Sequence, residues 1–322
     1  MTKLAYVGMI QNIYPIPGAD RIESAEVVCG TGGKWRGTVM KGQFQVGQLC
    51  EVYLQDAVLP DIERFSFLKE RRIRMQRLRG MPSECLIMEL QDDFPIGTEI
   101  SELRNVTKYE KAMLGSIGGD ILRPFPSHRL PKTDEPNFQT AQHMIEALRG
   151  LPFYATIKAD GASGTVYWDD GIHRCSRNYE LRDTPTAAVW QLIKRYGLED
   201  KLRILSHLAL QFEIVGPGIQ KNPMGLKEID MRLFNIYSIE HRQYLSYYEL
   251  MGYAQILEIP TVQVISHGGL FVFDNDEELR LYAQRRYPNG AHAEGIVIRP
   301  MEEQSVDGER LSFKVINLLY RD

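Results

Sequence analysis

Lys158, Asp160 and Gly161 stand together in the run FYATIKADGASGTVYW. A lysine at the end of an apolar, strand-like run is held still enough for its amine to act as a nucleophile. The aspartate two residues on sets charge beside that amine, and the glycine lets a phosphate approach the backbone closely. Together they suit an enzyme that stores a nucleotide on a lysine side chain. The K-x-D-G pattern alone arises by chance in roughly several per cent of chains this long, so the reading depends on partners elsewhere.

Three further segments supply candidates. Glu213 lies among apolar neighbours in ALQFEIVGPGIQKN, before a Gly-Pro-Gly turn. Glu294 opens the apolar run AEGIVIRP, and Lys314 sits inside LSFKVINLLY. Each has a plainer explanation: a surface-facing strand glutamate, a polar residue leading a strand, or an edge lysine that snorkels to water. Inside an apolar strand, however, a lysine is costly unless paired.

As a set they answer a definite problem. A lysine amine has a pKa near ~10.4, so only about one in a thousand is neutral near pH 7.4. Attack on an α-phosphate needs the neutral amine, and reaching it costs roughly 4 kcal/mol unless the site shifts the pKa. Asp160, Glu213 and Glu294 alone push that pKa the wrong way. A divalent ion held by them, through water, reverses the local sign. Lys314 is then placed to neutralise charge growing on the α-phosphate.

The elements that must position these groups fall into two styles. Residues 1 to about 105 read as all-β, with short alternating runs (LAYVGMIQNI, SAEVVC, RGTVMKG, QLCEVYLQ, ECLIMEL) between turns such as PIPGAD. A small OB-like barrel is expected. Its segment KERRIRMQRLRG concentrates basic residues; as a strand it puts Arg72 and Arg74 on one face and Ile73 and Met75 on the other. The phase shifts near Gln76 and Arg77, as a bulge would produce. Arg72, Arg74, Arg77 and Arg79 read either as a solvated edge that blocks aggregation or as a phosphate-tracking patch.

Residues 106–150 read as an irregular linker (RPFPSHRLPKTDEPNFQ) leading into a helix (TAQHMIEALRG). From 151 to 322 strands and helices intermix, with Thr184 and Pro185 as the expected N-cap and first turn of TAAVWQLIKRY. YYELMGYAQIL and DEELRLYAQRRY are further amphipathic helices. The expected class is α+β: mixed antiparallel sheets with helices, preceded by the all-β barrel.

The 322 residues are enough for about two domains, and the net charge of −4 excludes a global basic field. Any nucleic-acid surface must be local. Four scattered cysteines (Cys29, Cys50, Cys85, Cys175) form no C-x-x-C pair and read as reduced thiols. With no secretory apolar core at the N-terminus and no membrane-length apolar run, a soluble intracellular protein is expected, cytoplasmic and not secreted.

The order KADG, FEIVG, RLFNIYSI, AEGIVI, SFKVIN resembles the motifs of covalent nucleotidyltransferases, the polynucleotide ligases and capping guanylyltransferases. GASGT after the lysine, the upstream PSHRLPKTDEPNFQ and the downstream FEIVGPGIQ are most similar to RNA ligases that carry an OB domain in front of an ATP-grasp-like catalytic domain. Eight residues follow Lys314, so the rear OB domain of DNA ligases and capping enzymes is not expected.

The resemblance implies ATP as nucleotide donor, Mg²⁺ or Mn²⁺, and an RNA or RNA-containing nicked duplex as partner of a monomer. Lys158 would be adenylylated and Lys314 would bind the α-phosphate. Asp160, Glu213 and Glu294 would hold the ribose or hydrated metal, and Gly161 would line the nucleotide. Tyr237 would stack on adenine, or else is a core aromatic, with Arg177 and either Thr133 or Glu135 as further nucleotide or phosphate contacts. Two departures stand out: Ser312 takes the first place of a K-x-K pair, and Ile157 replaces an acidic residue before the nucleophile. A GTP-dependent capping enzyme and an RNA-binding protein with an inactive catalytic domain are the alternative readings.

Overall fold

Alternation of apolar and polar side chains produces the five strands of the main sheet in the first of two units: Ala5–Pro15, Ile22–Cys29, Gly33–Met40, Leu49–Tyr53 and Leu86–Glu89. The structure, a computed structural model, describes residues 3–30, 32–109 and 119–320. The five strands pair antiparallel in the order Gly33–Met40, Ile22–Cys29, Ala5–Pro15, Leu49–Tyr53, Leu86–Glu89. A parallel bridge from Gly37 to Cys85 joins the two outer strands, and the Glu84 N–H donates to the Arg36 carbonyl at 2.7 Å. The sheet therefore closes into the expected OB-like barrel. Gly37 sits on that seam, where a Cβ would lie 2.7 Å from Ile87 Cδ1.

The interior is filled by Ile10, Val27, Trp35, Val52, Tyr53 and Ile87. Glu51 is fully buried among them. Arg64 and Arg104 pair with it at 2.8 and 2.5 Å, and the Tyr53 hydroxyl donates to it at 2.6 Å. The arginine-rich segment differs from expectation. It has no bulge near Gln76; Gln76–Leu78 instead pairs with Met81–Ser83 as a hairpin. Its turn has positive φ at both Arg79 (52°) and Gly80 (86°), the backbone of a two-residue loop that matches strand twist.

Of the segment read as a linker, residues 110–118 lie outside the described residues. Phe138–His143 belongs to the first unit, where Gln139 donates to Glu84 at 3.0 Å.

The second unit is built on two large sheets, beside a two-stranded ribbon of Ser305–Val306 and Glu309–Arg310. One has seven strands in the order Ile121–Pro124, Tyr179–Leu181, Ile172–Cys175, Ala162–Trp168, Leu208–Val215, Asp230–Ser238, Gln243–Tyr244. The other has four, in the order Val264–Leu270, Pro152–Lys158, Gly295–Pro300, Phe313–Ile316. All their named pairings are antiparallel. One face of the larger sheet buries Leu210, Phe212 and Ile214 with Val189, Ile193, Leu202 and Leu250 from its helices. The strand period of two sends Gln211 and Glu213 to the opposite face.

Among the described residues the α-helices are Gln142–Leu148, Ala188–Arg195, Leu198–Ile204, Tyr247–Ile256 and Asp276–Tyr282. Ser246 and Glu249 form a capping box on the fourth. Thr184 does not cap the second helix: its carbonyl closes a turn with the Ala187 N–H at 2.9 Å. The helix starts after Ala187, which has no side-chain cap.

Candidate active site

Lys158 is the last residue of its strand and is paired with Gly295. That register puts the preceding residue, Glu294, beside the amine: Lys158 Nζ lies 2.6 Å from Glu294 Oε2. Gly295–Pro300 is flanked on its other side by Phe313–Ile316, with Val297 opposite both Thr156 and Lys314. Because paired residues share a face and the side-chain period is two, Lys158 and Lys314 project from the same face. The larger sheet contributes Glu213, opposite Ser163.

Electrostatics confirm that these groups are neighbours. Burial opposes charge on Lys158, but Glu294, then Glu213 and Asp160, raise its pKa well above the ordinary lysine value. The Glu213 carboxyl is pushed up to about 8 by burial, with Glu294 and Asp160 adding and Lys158 and Arg177 opposing. Lys314 is lowered by burial and then by Lys158, against the pull of Glu294 and Asp134. Arg177 acts on both Glu213 and Lys314 and is ion-paired with Asp134. The structure thus brings together Lys158, Asp160, Glu213, Glu294, Lys314 and Arg177.

Gly161 has a different reason from the one expected. A Cβ there would lie 2.2 Å from the Ile214 carbonyl oxygen and 2.8 Å from Glu213 Cγ. The glycine lets the nucleophile turn close against the strand that carries Glu213.

Three other expectations are corrected. Tyr237 is a core aromatic packed with Phe125, Leu130, Tyr167, Cys175 and Ala209, edge-on to Tyr244 at 5.2 Å. Phe234 on the same strand packs against the cluster of Ala159, Val215 and Val262, which holds the residue next to the lysine. Glu135 is taken up by an internal network: Arg299 donates to it at 2.8 Å and to Ser312 Oγ at 3.0 Å. Its carboxyl is held below the usual range against burial, first by Arg299 and then by Arg310. Arg72 pairs with Asp56 at 2.6 Å and covers the Tyr109 ring at 3.7 Å, so it is committed within its own unit. Arg74 pairs with Glu70 and Arg77 donates to the Gly80 carbonyl, while Arg79 is exposed on the turn.

The surroundings of Ser312 and Ile157 also explain the two departures. Ser312 is buried and takes the Arg299 donor, so the side chain at that place serves the interior. Ile157 is buried with Tyr287 and Ala293, where a carboxylate would be desolvated.

The upstream segment is pinned along its length. The Pro131 carbonyl accepts from Gln211 at 2.9 Å, Thr133 meets Ser163 Oγ at 3.0 Å, and the Lys314 N–H donates to the Pro136 carbonyl at 2.9 Å. Three further residues, none of them a candidate from the sequence, hold the nucleophile turn. Tyr287 bonds the backbone at Lys158 and Asp160, Tyr320 bonds the Asp160 carboxylate, and Gln220 bonds the Gly161 carbonyl. An isolated tyrosine or glutamine carries no sequence signal of such a role.

Among the described residues no three His, Cys, Asp or Glu side chains converge closely enough to hold an ion directly. The donors do suit a hydrated divalent ion. Three carboxylates act on Lys158, and crowding helps hold one of them up near 8. A dication bound through water relieves that repulsion.

A model of the RNA ligase family matches residues 151–316, and a model described as an OB-fold domain matches residues 4–92. Among solved structures, Naegleria gruberi RNA ligase with pyrophosphate is 32% identical, with a TM-score of 0.83 over 98% of this chain and 97% of that one. A lysine-to-alanine mutant of that ligase with ATP and Mn is 30% identical, with a TM-score of 0.84 over 98% and 97%. A lysine-to-methionine mutant with AMP and Mn is 31% identical at a TM-score of 0.84 over the same shares of 98% and 97%. No curated protein sequence matches the chain.

Proposed function

This chain belongs to the RNA ligase family, and we propose from that premise that it joins RNA 3′-OH and 5′-phosphate ends through an AMP carried on Lys158, with ATP as donor. The observation that carries the reading is the convergence of Lys158, Glu294, Glu213, Asp160 and Lys314 from two sheets onto one locus. A decayed binding module has no need to keep five such groups together.

In the first step the neutral Lys158 amine attacks the α-phosphorus of ATP. The Nζ–P bond forms as the bond to the bridging oxygen breaks, and pyrophosphate leaves. Glu294 Oε2, at 2.6 Å, is the nearest acceptor for the amine proton. Lys314 offsets charge on the α-phosphate oxygens. Phe234 and Ala159 offer the base an apolar surface. A bound Mg²⁺ or Mn²⁺ would favour the neutral amine and neutralise the leaving pyrophosphate; Asp160, Glu213 and Glu294 would hold it through water. In the second step AMP passes from Lys158 to a 5′-phosphate. In the third a 3′-OH attacks that phosphate and AMP leaves.

The substrate we favour is a nick with RNA on the 3′-OH side, gripped by the arginine-rich segment Arg74–Arg79, and a monomer suffices. Four free, buried cysteines support an intracellular setting. Among the described residues no helix is long and apolar enough to cross a membrane.

Incubation with α-labelled ATP or GTP and Mg²⁺ or Mn²⁺, followed by a denaturing gel, tests the reading. Label from ATP that vanishes in Lys158→Ala and on chelation is the expected result. Label from GTP alone points to capping chemistry, and no label from folded protein overturns the enzyme.

A further inference from the structure

The turn bearing the nucleophile is tied down by two phenols from outside the motifs. The Tyr287 hydroxyl donates to the Lys158 carbonyl at 3.1 Å and accepts from the Asp160 N–H at 3.1 Å. It also lies 3.5 Å from the Glu294 N–H. One oxygen thus touches the backbone on both sides of Ala159 and at the facing carboxylate residue. Its ring is 2% exposed and packs on Ile157 and Ala293, so the oxygen is fixed from behind. Burial pushes its pKa up to about 12, which keeps the hydroxyl a donor throughout the working range.

Tyr320 approaches Asp160 from the other side and donates to Oδ2. Its path is set by Asn317, whose backbone N–H donates to the Glu294 carbonyl at 2.9 Å and whose side chain donates to the Ala293 carbonyl at 2.9 Å.

We propose that Tyr287 and Tyr320 are positioning residues for lysine adenylylation: Tyr287 fixes the backbone that aims Lys158 Nζ, and Tyr320 fixes the carboxylate of Asp160. The inference rests on the ligase reading and adds residues to it. In-line attack tolerates little misplacement, and about 1 Å of error costs on the order of 100-fold. Both phenols bond to protein groups of the turn, so their loss should fall on the rate of the covalent step rather than on binding of ATP.

The test is single-turnover adenylylation over a range of ATP concentrations for wild type, Tyr287→Phe and Tyr320→Phe. Hydrogen exchange of the peptide spanning residues 156–163 is measured alongside. Each variant keeps its ring, and the half-buried Tyr320 can be changed without disturbing a core. The expected result is a roughly 10- to 100-fold lower limiting rate in each variant at unchanged half-saturating ATP. Tyr287→Phe should also lose protection at the Asp160 amide. Wild-type limiting rates in both variants, or a loss confined to half-saturating ATP, would overturn the inference. If even the wild type fails to label, the ligase reading falls; unchanged Asp160 protection in Tyr287→Phe would then refute the positioning role on its own.

Discussion

Lys158 Nζ and Glu294 Oε2 are 2.6 Å apart because their strands pair Lys158 with Gly295. The contact stabilises the charged amine, which is the unreactive form. In the free enzyme the nucleophile is therefore held protonated by the same carboxylate that stands ready to take its proton. The pair keeps the lysine quiet until a nucleotide and a dication change the local charge.

That relation predicts the reactivity of Lys158 without nucleotide or divalent ion. Modification by an amine-directed acylating reagent, followed by mass spectrometry against pH, should show a midpoint above that of ordinary surface lysines. Glu294→Gln removes the largest raising influence, so its midpoint should move down. A midpoint unmoved by that change would mean that the pair does not form in solution.

Glu213 predicts a pH-dependent stability. Its carboxyl titrates near 8 in the folded protein against 4.5 when free. Folding therefore favours the protonated form, so its contribution is complete below about 4.5 and is lost as pH rises towards and through 8. Glu213→Gln should match the wild type in thermal denaturation near pH 4.5 and exceed it by about 1–3 kcal/mol near pH 9, allowing for solvent screening. The same variant should lose adenylylation. Equal stability at both pH values would refute the charge crowding.

The Arg299–Glu135 pair predicts a strong structural penalty. Arg299 is 2% exposed and holds Glu135 and Ser312. Glu135→Ala leaves a buried guanidinium without its anion, at a cost of about 3–5 kcal/mol. Urea denaturation should show the loss, and Arg299→Met combined with Glu135→Leu should recover much of it.

The arginine-rich segment of the barrel predicts a division of labour among its side chains. Arg74→Ala and Arg79→Ala should weaken RNA binding and each lower the slope of log affinity against log salt by roughly 0.7–0.9. Arg72→Ala should instead cost about 1 kcal/mol of stability through Asp56 and Tyr109. Filter binding over a salt series, with melting curves alongside, separates the two effects.

Much of this site was readable from sequence because its chemistry sits in short runs whose period marks strands. KADG, FEIVG, AEGIVI and SFKVIN each became a strand end or strand at the cluster. The barrel was readable for the same reason, through alternation between turns. Helix starts were less so: a Thr-Pro pair that suits a cap instead closed a turn before Ala187. Tyr237 could not be placed from sequence either, because which face of its strand meets the lysine depends on register with a neighbouring strand. Tyr287, Tyr320 and Arg299 left no local pattern; each acquires its role from a partner far away in sequence.

The bond from Tyr320 to Asp160 spans 160 residues, and the strand holding Lys314 comes almost as late. A ribosome that has just made KADG must go on for roughly ten seconds or more before those partners emerge. Until then the nascent lysine lacks both its phosphate-binding companion and the phenol that orders its turn. Products terminated before Lys314 should consequently be unable to consume ATP, so the order of synthesis itself keeps the nucleophile idle until its partners are made.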